Sequence, residues 1–126
     1  MKVHVIVAGS REFEDYSLLE RELNKTLAGL MKEDVTIITG AARGADKLGS
    51  AYALDNDYRL EEFPADWNAY GRSAGMIRNN EMAKYADSNA DKVMLVAFWN
   101  GRSSGTRNMI ETARHKNFDV KVVPFI

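Results

Sequence analysis

The chain contains no cysteine and no long apolar run. The lack of cysteine excludes disulfides, thiolate metal sites and cysteine nucleophiles, and it fits a reducing compartment. A membrane-spanning helix needs about 18 or more consecutive apolar residues, and a signal peptide needs a charged start followed by an apolar segment. Neither pattern occurs, so we expect a cytoplasmic protein that makes no contact with a membrane.

The sequence also has little net charge. Its 17 basic and 18 acidic side chains give a formal net charge of −1. Broad binding to nucleic acid relies on an excess of positive charge, so this composition argues against a nucleic-acid partner. A length of 126 residues suits one globular domain with a core. We predict a single domain over residues 1–126.

Histidine is the next scarce residue, with only two copies. His4 lies in an apolar run and His115 lies late in a predicted helix, and neither has a second histidine or a carboxylate at ligand spacing. A Ser-His-Asp arrangement cannot be assembled either. The sequence therefore predicts neither a metal site nor a cofactor.

Arginine, in contrast, is concentrated in particular places. Six of the nine arginines fall in glycine-containing connections or just after them: Arg11, Arg43, Arg72, Arg78, Arg102 and Arg107. Planar guanidinium groups suit bidentate contact with phosphate or carboxylate oxygens. Arginines are also common on ordinary surfaces, and that alternative remains open. The clustering favours a local anion site.

Five segments are predicted to be β-strands. Nearly continuous apolar runs are expected for strands covered by helices on both faces, so we predict central strands at Val3–Ala8, Val35–Thr39 and Val93–Trp99. Mixed or alternating segments predict edge strands at Tyr58–Phe63 and Val120–Pro124.

Helical patterns alternate with these strands. A leucine stripe from Leu19 to Leu30 predicts the first helix, with Ser17 and Glu20 as a capping box. The other predicted helices are Ala42–Asn56, Gly71–Asp87 and Ser104–Lys116. This alternation predicts an α/β fold, a Rossmann-like doubly wound parallel five-stranded sheet of order 3-2-1-4-5 with helices on both faces. Ligands of such sheets bind where the strand order reverses, here between the first and fourth strands.

Three loops follow the strands at that edge, and each carries glycine: "AGSR", "TGAARGAD" and "WNGRSSGTRN". Glycine allows the backbone to approach a ligand closely, and helix starts favour anions. The predicted ligand-binding residues are Gly9, Ser10, Arg11, Gly40, Arg43, Gly44, Gly101, Ser104, Gly105 and Thr106, with Arg78 and Asn79 lining the crevice. Trp67 and Tyr70 either stack on a base or simply cover an edge of the core.

As a set, these loops and the segment "ADWNAYGRSAGMIRNNEMAKYAD" resemble the YspA/YpsA-related branch of the SLOG superfamily. That superfamily includes the DNA-processing proteins Smf/DprA and the "lonely guy" cytokinin-activating enzymes. The resemblance implies a Rossmann-like fold and a site for a nucleotide or a nucleotide-derived ligand. It leaves the oligomeric state open between a monomer and a homodimer or higher homo-oligomer, because the enzyme relatives commonly dimerise.

The lonely-guy enzymes carry the motifs "RKxEM" and "PGGxGTxxE", whose arginine and final glutamate are catalytic. The resemblance places Arg78 of "RNNEM" at the arginine, but Met109 stands where the glutamate belongs. Methionine cannot stabilise the oxocarbenium-like state of N-glycosidic cleavage. Glu111 is about 200° further around the helix, so Asp46 and Asp66 are the candidate replacements. Asp46 is alternatively a helix cap or a partner of the helix dipole.

Three functions follow from this resemblance and these residues. The first is binding of a nucleotide or nucleotide derivative, for sensing or sequestering a signalling molecule. The second is a nucleoside-monophosphate phosphoribohydrolase or related N-glycosidase. The third, which the near-neutral charge and small size favour least, is a single-stranded DNA-binding module.

Overall fold

A five-stranded sheet with all strands parallel forms the centre of the computed structural model, which describes residues 1–126. The strands are β1 (Val3–Gly9), β2 (Val35–Thr39), β3 (Arg59–Glu62), β4 (Lys92–Trp99) and β5 (Asp119–Pro124). Their order is β3-β2-β1-β4-β5, which confirms the predicted sheet.

Five α-helices connect or precede these strands. They are α1 (Tyr16–Leu27), α2 (Ala45–Asp55), α3 (Trp67–Tyr70), α4 (Ala74–Asp87) and α5 (Ser104–His115). Short 3₁₀ turns occur at Lys32–Asp34 and Gly71–Ser73. None of these helices combines the length and apolar composition needed to cross a bilayer.

Helices cover both faces of the sheet. Successive side chains of a strand point to opposite faces, and in β1 and β2 both sets are mostly apolar and need to be buried. Val5 and Val7 of β1 belong to one core cluster, together with buried leucines of α1 and with Tyr52 of α2. Ile6 of β1 belongs to the other cluster, which includes Met82 of α4 and buried residues of α5. β1 and β2 are therefore buried on both faces, whereas β3 and β5 are largely exposed edge strands, as predicted.

Two predicted helix starts are wrong. The N-cap of α1 is Asp15, whose carboxylate accepts the backbone N–H of Leu18 at 3.0 Å, so Ser17 lies inside the first turn and forms no capping box. α2 begins at Ala45 rather than Ala42 because Gly44 has a φ of +88°, in the left-handed region that a right-handed helix cannot include. In both cases the loop conformation before the helix determines where the helix begins.

The predicted helix at residues 71–87 is divided. Gly71–Ser73 forms the 3₁₀ turn, α4 starts at Ala74, and the separate short helix α3 precedes them. This arrangement places α3 beside the start of α4 at the carboxyl edge of the sheet.

Candidate functional site

A crevice of about 690 Å³ opens at the carboxyl ends of β1 and β4, where the strand order reverses. Loops after β1, β2 and β4 line it, together with residues of α2, α3, α4 and α5. Its volume lies in the range of small-ligand sites, roughly 300–1,000 Å³. The predicted location of the site is therefore a real concavity.

Positive side chains outnumber acidic ones in the lining of this crevice. Of the six arginines in or just after glycine-containing connections, five line the crevice: Arg11, Arg43, Arg72, Arg78 and Arg102. Only Glu12 and Asp46 among the lining residues are acidic. The sixth arginine, Arg107, instead lies 5.6 Å over the ring of Trp99. A chain with a net charge of −1 thus has a locally positive crevice.

Arg78 is the arginine most firmly held by the protein. Its Nη1 donates to the carbonyl oxygen of Gly40, and its Nε donates to Oδ1 of Asn79 at 3.1 Å. Burial lowers the pKa of the Arg78 guanidinium, while the nearby Asp46 carboxylate opposes that effect. The guanidinium orientation is therefore set before any ligand binds.

Gly40 makes this arrangement possible although it does not itself line the crevice. A Cβ at Gly40 would overlap Nη1 of Arg78 and lie only 2.7 Å from Oδ2 of Asp46. Only the absence of a side chain lets both charged groups approach the end of β2. Gly40 therefore allows Arg78 and Asp46 to take up their positions in the site without lining the crevice itself.

Asp46 is a buried carboxylate inside the crevice. Asp46 lies in the first turn of α2 and is 5% exposed. Its Oδ2 accepts the N–H of Ala42 at 3.3 Å. Burial raises the pKa of Asp46 to about 6, although Arg78 and the backbone N–H groups of Ala42 and Gly40 act in the opposite direction. The N-cap position belongs to Gly44, so Asp46 is not the cap of α2. Burial therefore favours the protonated form of Asp46 more than an exposed position would.

Asn79 connects Arg78 to the opposite wall. Its Nδ2 donates to the carbonyl oxygen of Gly105 at 3.2 Å and to Oδ1 of Asn108 at 3.0 Å. The residue is buried, and both ends of its amide are occupied by protein groups. Asn79 thus lines the crevice and positions Arg78 relative to α5.

The first turn of α5 forms the wall on the β4 side. Ser103 is its N-cap, with Oγ accepting the N–H of Thr106 at 3.4 Å. Ser104, Gly105 and Thr106, which belong to the predicted ligand-binding set, all line the crevice. The positive end of a helix dipole favours an anion at such a position.

Ser10 holds the loop after β1 against its neighbours. Its N–H donates to the carbonyl oxygen of Phe98 at 2.9 Å, and its Oγ accepts the N–H of Asn100 at 3.3 Å. Its own carbonyl oxygen accepts the N–H of Ala45 at 3.3 Å. Ser10 therefore joins the ends of β1 and β4 and the start of α2 beside Gly9 and Arg11.

Comparison with known proteins identifies the family. The model of the YspA, cpYpsA-related SLOG family matches residues 3–70, more than half of the chain. The chain belongs to this family. It is also 33% identical over 127 residues to the Gene 61 protein of Mycobacterium phage D29, with 92% of each chain covered.

Solved structures share the fold of this SLOG protein. DNA processing protein A (DprA) of Streptococcus pneumoniae superimposes with a TM-score of 0.68 and 19% identity, over 99% of this chain and 50% of that one. DprA of Helicobacter pylori, described by its single-stranded DNA binding mode, gives 0.61 and 18%, over 99% of this chain and 66% of that one. The SLOG chain spans about half the length of the pneumococcal protein. These likenesses show the Rossmann-like α/β fold.

Four predicted site residues of the SLOG protein do not line the main crevice. Besides the supporting Gly40, they are Gly44, Gly101 and Asp66. Gly44 lines an adjoining groove of about 520 Å³ that shares Arg11 and Arg43 with the crevice. Asp66 is an exposed N-cap whose Oδ1 accepts the N–H of Ala69 at 3.0 Å. Of the two proposed substitute carboxylates, the structure therefore brings only Asp46 together with Arg78.

Sequence reasoning about this SLOG protein missed several lining residues. Glu12, Met76, Asn100 and Ser103 were not singled out, although Asn100 directly follows β4 at the reversal of strand order. The buried side chains of Met82 and Met109 also line the crevice and add an apolar surface. Glu111 is exposed, as its spacing from Met109 predicted.

Proposed function

We propose that this SLOG protein binds a nucleotide or nucleotide-derived small ligand in the crevice between the ends of β1 and β4. The observation that carries the proposal is the set of five arginines around one crevice in a chain of net charge −1. Guanidinium groups and a helix start are the protein groups best suited to phosphate oxygens. Binding of this kind suits a protein that senses or sequesters a signalling nucleotide.

The arginines divide into held and free groups. Arg78 is partly buried and fixed by two hydrogen bonds, whereas Arg43, Arg72 and Arg102 are exposed. A preorganised group loses little conformational entropy on binding, and exposed groups can adjust to phosphates of different length. We expect Arg78 to orient the ligand and the exposed arginines to add affinity.

A thermal-shift screen with AMP, ADP-ribose, NAD and cyclic nucleotides tests this proposal. A ligand that binds only the folded state stabilises it by about 2.7 kcal/mol at a concentration 100 times its Kd. We expect a higher Tm with at least one ligand, and a smaller shift for Arg43→Ala. Arg114→Ala is the matched control, because Arg114 is an exposed arginine outside the crevice. No shift with any phosphate compound up to millimolar concentration would contradict the proposal.

A second candidate function is cleavage of an N-glycosidic bond in the bound nucleotide. It is favoured by Asp46, a buried carboxylate with a pKa of about 6 close to Arg78. A carboxyl group that titrates near neutral pH suits acid–base work, and Met109 supplies no carboxylate where related enzymes carry theirs. In this mechanism Arg78 orients the phosphate or sugar, and Asp46 takes the role of the missing glutamate.

Chromatography of AMP incubated with the protein tests the enzymatic candidate. Release of free adenine by the wild-type protein, and its loss in Asp46→Asn with binding retained, would support it. Asp66→Asn is the control, because that exposed carboxylate lies outside the crevice. Recovery of intact nucleotide after prolonged incubation leaves the protein a binder for that compound.

Binding of single-stranded DNA is the third function to be tested. The Helicobacter DprA structure is described by its single-stranded DNA binding mode, but the likeness of this chain to it is limited to the fold. The net charge of −1 also disfavours binding to nucleic acid. We expect a fluorescent oligonucleotide to show no anisotropy change at about 0.15 M salt, where weak phosphate contacts are largely screened. Saturable binding under those conditions would instead favour the DNA-binding function.

A further inference from the structure

Trp67 stands at the mouth of the crevice with much of its ring uncovered. It is the first residue of α3, is 49% exposed, and lines the crevice. Tyr70 of the same helix is 52% exposed and does not line it. Neither ring covers the core, which excludes that interpretation of the pair. Trp67 is thus an accessible aromatic surface beside a polar, arginine-rich crevice.

The indole ring of Trp67 is also held in place. The guanidinium of Arg11 lies over the ring, with 5.5 Å between its Cζ and the ring centroid. Such a cation–π contact favours this orientation of the indole ring. Trp67 remains half exposed beside this contact and lines the crevice.

Gly75 faces Trp67 from the first turn of α4, and packing does not require a glycine there. A Cβ at Gly75 would lie 3.6 Å from Cη2 of Trp67 and 4.0 Å from Nη2 of Arg78, both ordinary contact distances. By contrast, a Cβ at Gly49 in α2 would come within 2.7 Å of Val7. Glycine inside a helix lowers stability relative to alanine. The bare backbone at Gly75 therefore keeps space open between Trp67 and Arg78.

We propose that Trp67 and Gly75 form the subsite for a planar heteroaromatic base, and that the ligand is accordingly a nucleotide rather than a sugar phosphate. The proposal rests on the proposed function, because the crevice arginines hold the phosphate end. The base lies over the first turn of α4, against the exposed part of the indole ring. Gly75 provides the room, and Trp67 provides a stacking surface that every base can use.

The experiment compares ligands with and without a base. Isothermal titration calorimetry measures binding of AMP, GMP, CMP, UMP and ribose 5-phosphate to the wild type, Trp67→Ala and Tyr70→Ala. Base–aromatic stacking corresponds to about a 5- to 150-fold change in affinity. We expect at least one nucleotide to bind more tightly than ribose 5-phosphate by such a factor. Trp67→Ala should remove that preference while ribose 5-phosphate binding stays within about twofold, and Tyr70→Ala should change neither.

Two further variants make the result independent of a single substitution. Gly75→Ala places a methyl group in the space without a clash, so it should weaken nucleotide binding, spare ribose 5-phosphate and raise Tm. Trp99→Phe leaves Trp67 as the sole tryptophan of the chain, whose fluorescence AMP should then quench and ribose 5-phosphate should not.

Each outcome bears on a different claim. Equal affinity for nucleotides and ribose 5-phosphate, or full nucleotide preference in both Trp67→Ala and Gly75→Ala, would overturn the base subsite and leave the phosphate crevice standing. Failure of every nucleotide and of ribose 5-phosphate to bind would overturn the subsite and the proposed function together.

Discussion

Replacement of Asp46 by asparagine should stabilise the protein above pH 6. Asparagine imitates the protonated carboxyl group, and its amide oxygen can still accept the N–H of Ala42. In the wild type, burial raises the pKa of Asp46 from 3.8 to about 6, so keeping it ionised in the folded state costs free energy. The variant escapes that cost.

The magnitude follows from the difference between the two pKa values. A group whose pKa is raised by folding binds its proton more tightly in the folded state, so stability falls as pH rises between the unfolded and folded values. For Asp46 the loss is nearly absent well below pH 3.8 and complete above about pH 6. At 1.36 kcal/mol for each pKa unit, the complete cost is about 3 kcal/mol. At pH 4.5 only about 1 kcal/mol of it is present.

Urea unfolding of both proteins at pH 4.5 and pH 7.5 measures this effect, since the other titrating groups largely cancel between variant and wild type. Asp46→Asn should exceed the wild type by about 1 kcal/mol at the lower pH and by about 3 kcal/mol at the higher one. Asp66→Asn is the control, because asparagine is an equally good N-cap. If the difference in unfolding free energy between Asp46→Asn and the wild type does not increase from pH 4.5 to pH 7.5, the assignment of a raised pKa to Asp46 is refuted.

Other predictions concern the groups around Arg78. Gly40→Ala should destabilise the protein by about 1–3 kcal/mol and abolish ligand binding, because the new Cβ collides with Arg78 and crowds Asp46; urea unfolding and calorimetry measure both effects. Gly75→Ala should instead stabilise by about 0.5–1 kcal/mol, and a lower Tm than wild type would contradict the free space at that position. Asn79→Ala should cost about 1–3 kcal/mol, since it removes three partly buried hydrogen bonds made by the amide of a buried residue; unchanged unfolding curves would show that its amide is dispensable.

Most of the strand architecture was predictable because burial on both faces requires continuous apolar runs. The three such runs are the three inner strands, and the charged segments are the edges. Because the strands are connected by helices and pair in parallel, these assignments also predicted the strand order and the position of the crevice where that order reverses. The arginines were also informative, since five of the six selected from glycine-containing connections line one cavity.

The helix starts were less predictable, because more than one residue near each start has suitable chemistry. Asp15 and Ser17 both have side chains that can cap α1, and only the loop conformation selects Asp15. Asp46 and Asp66 likewise both follow predicted strands. The structure buries the first beside Arg78 and uses the second as a surface cap.

The sequence by itself therefore determined the fold class, the strand order and the edge of the sheet that carries the positive charge, because these depend on local periodicity and on connection rules. Only the tertiary structure decided which groups meet there. The bond from Arg78 to Gly40, the burial that raises the pKa of Asp46, and the open space between Trp67 and Arg78 at Gly75 each join separate segments of the chain. Such contacts depend on how helices pack against the sheet, which no pattern within one segment encodes.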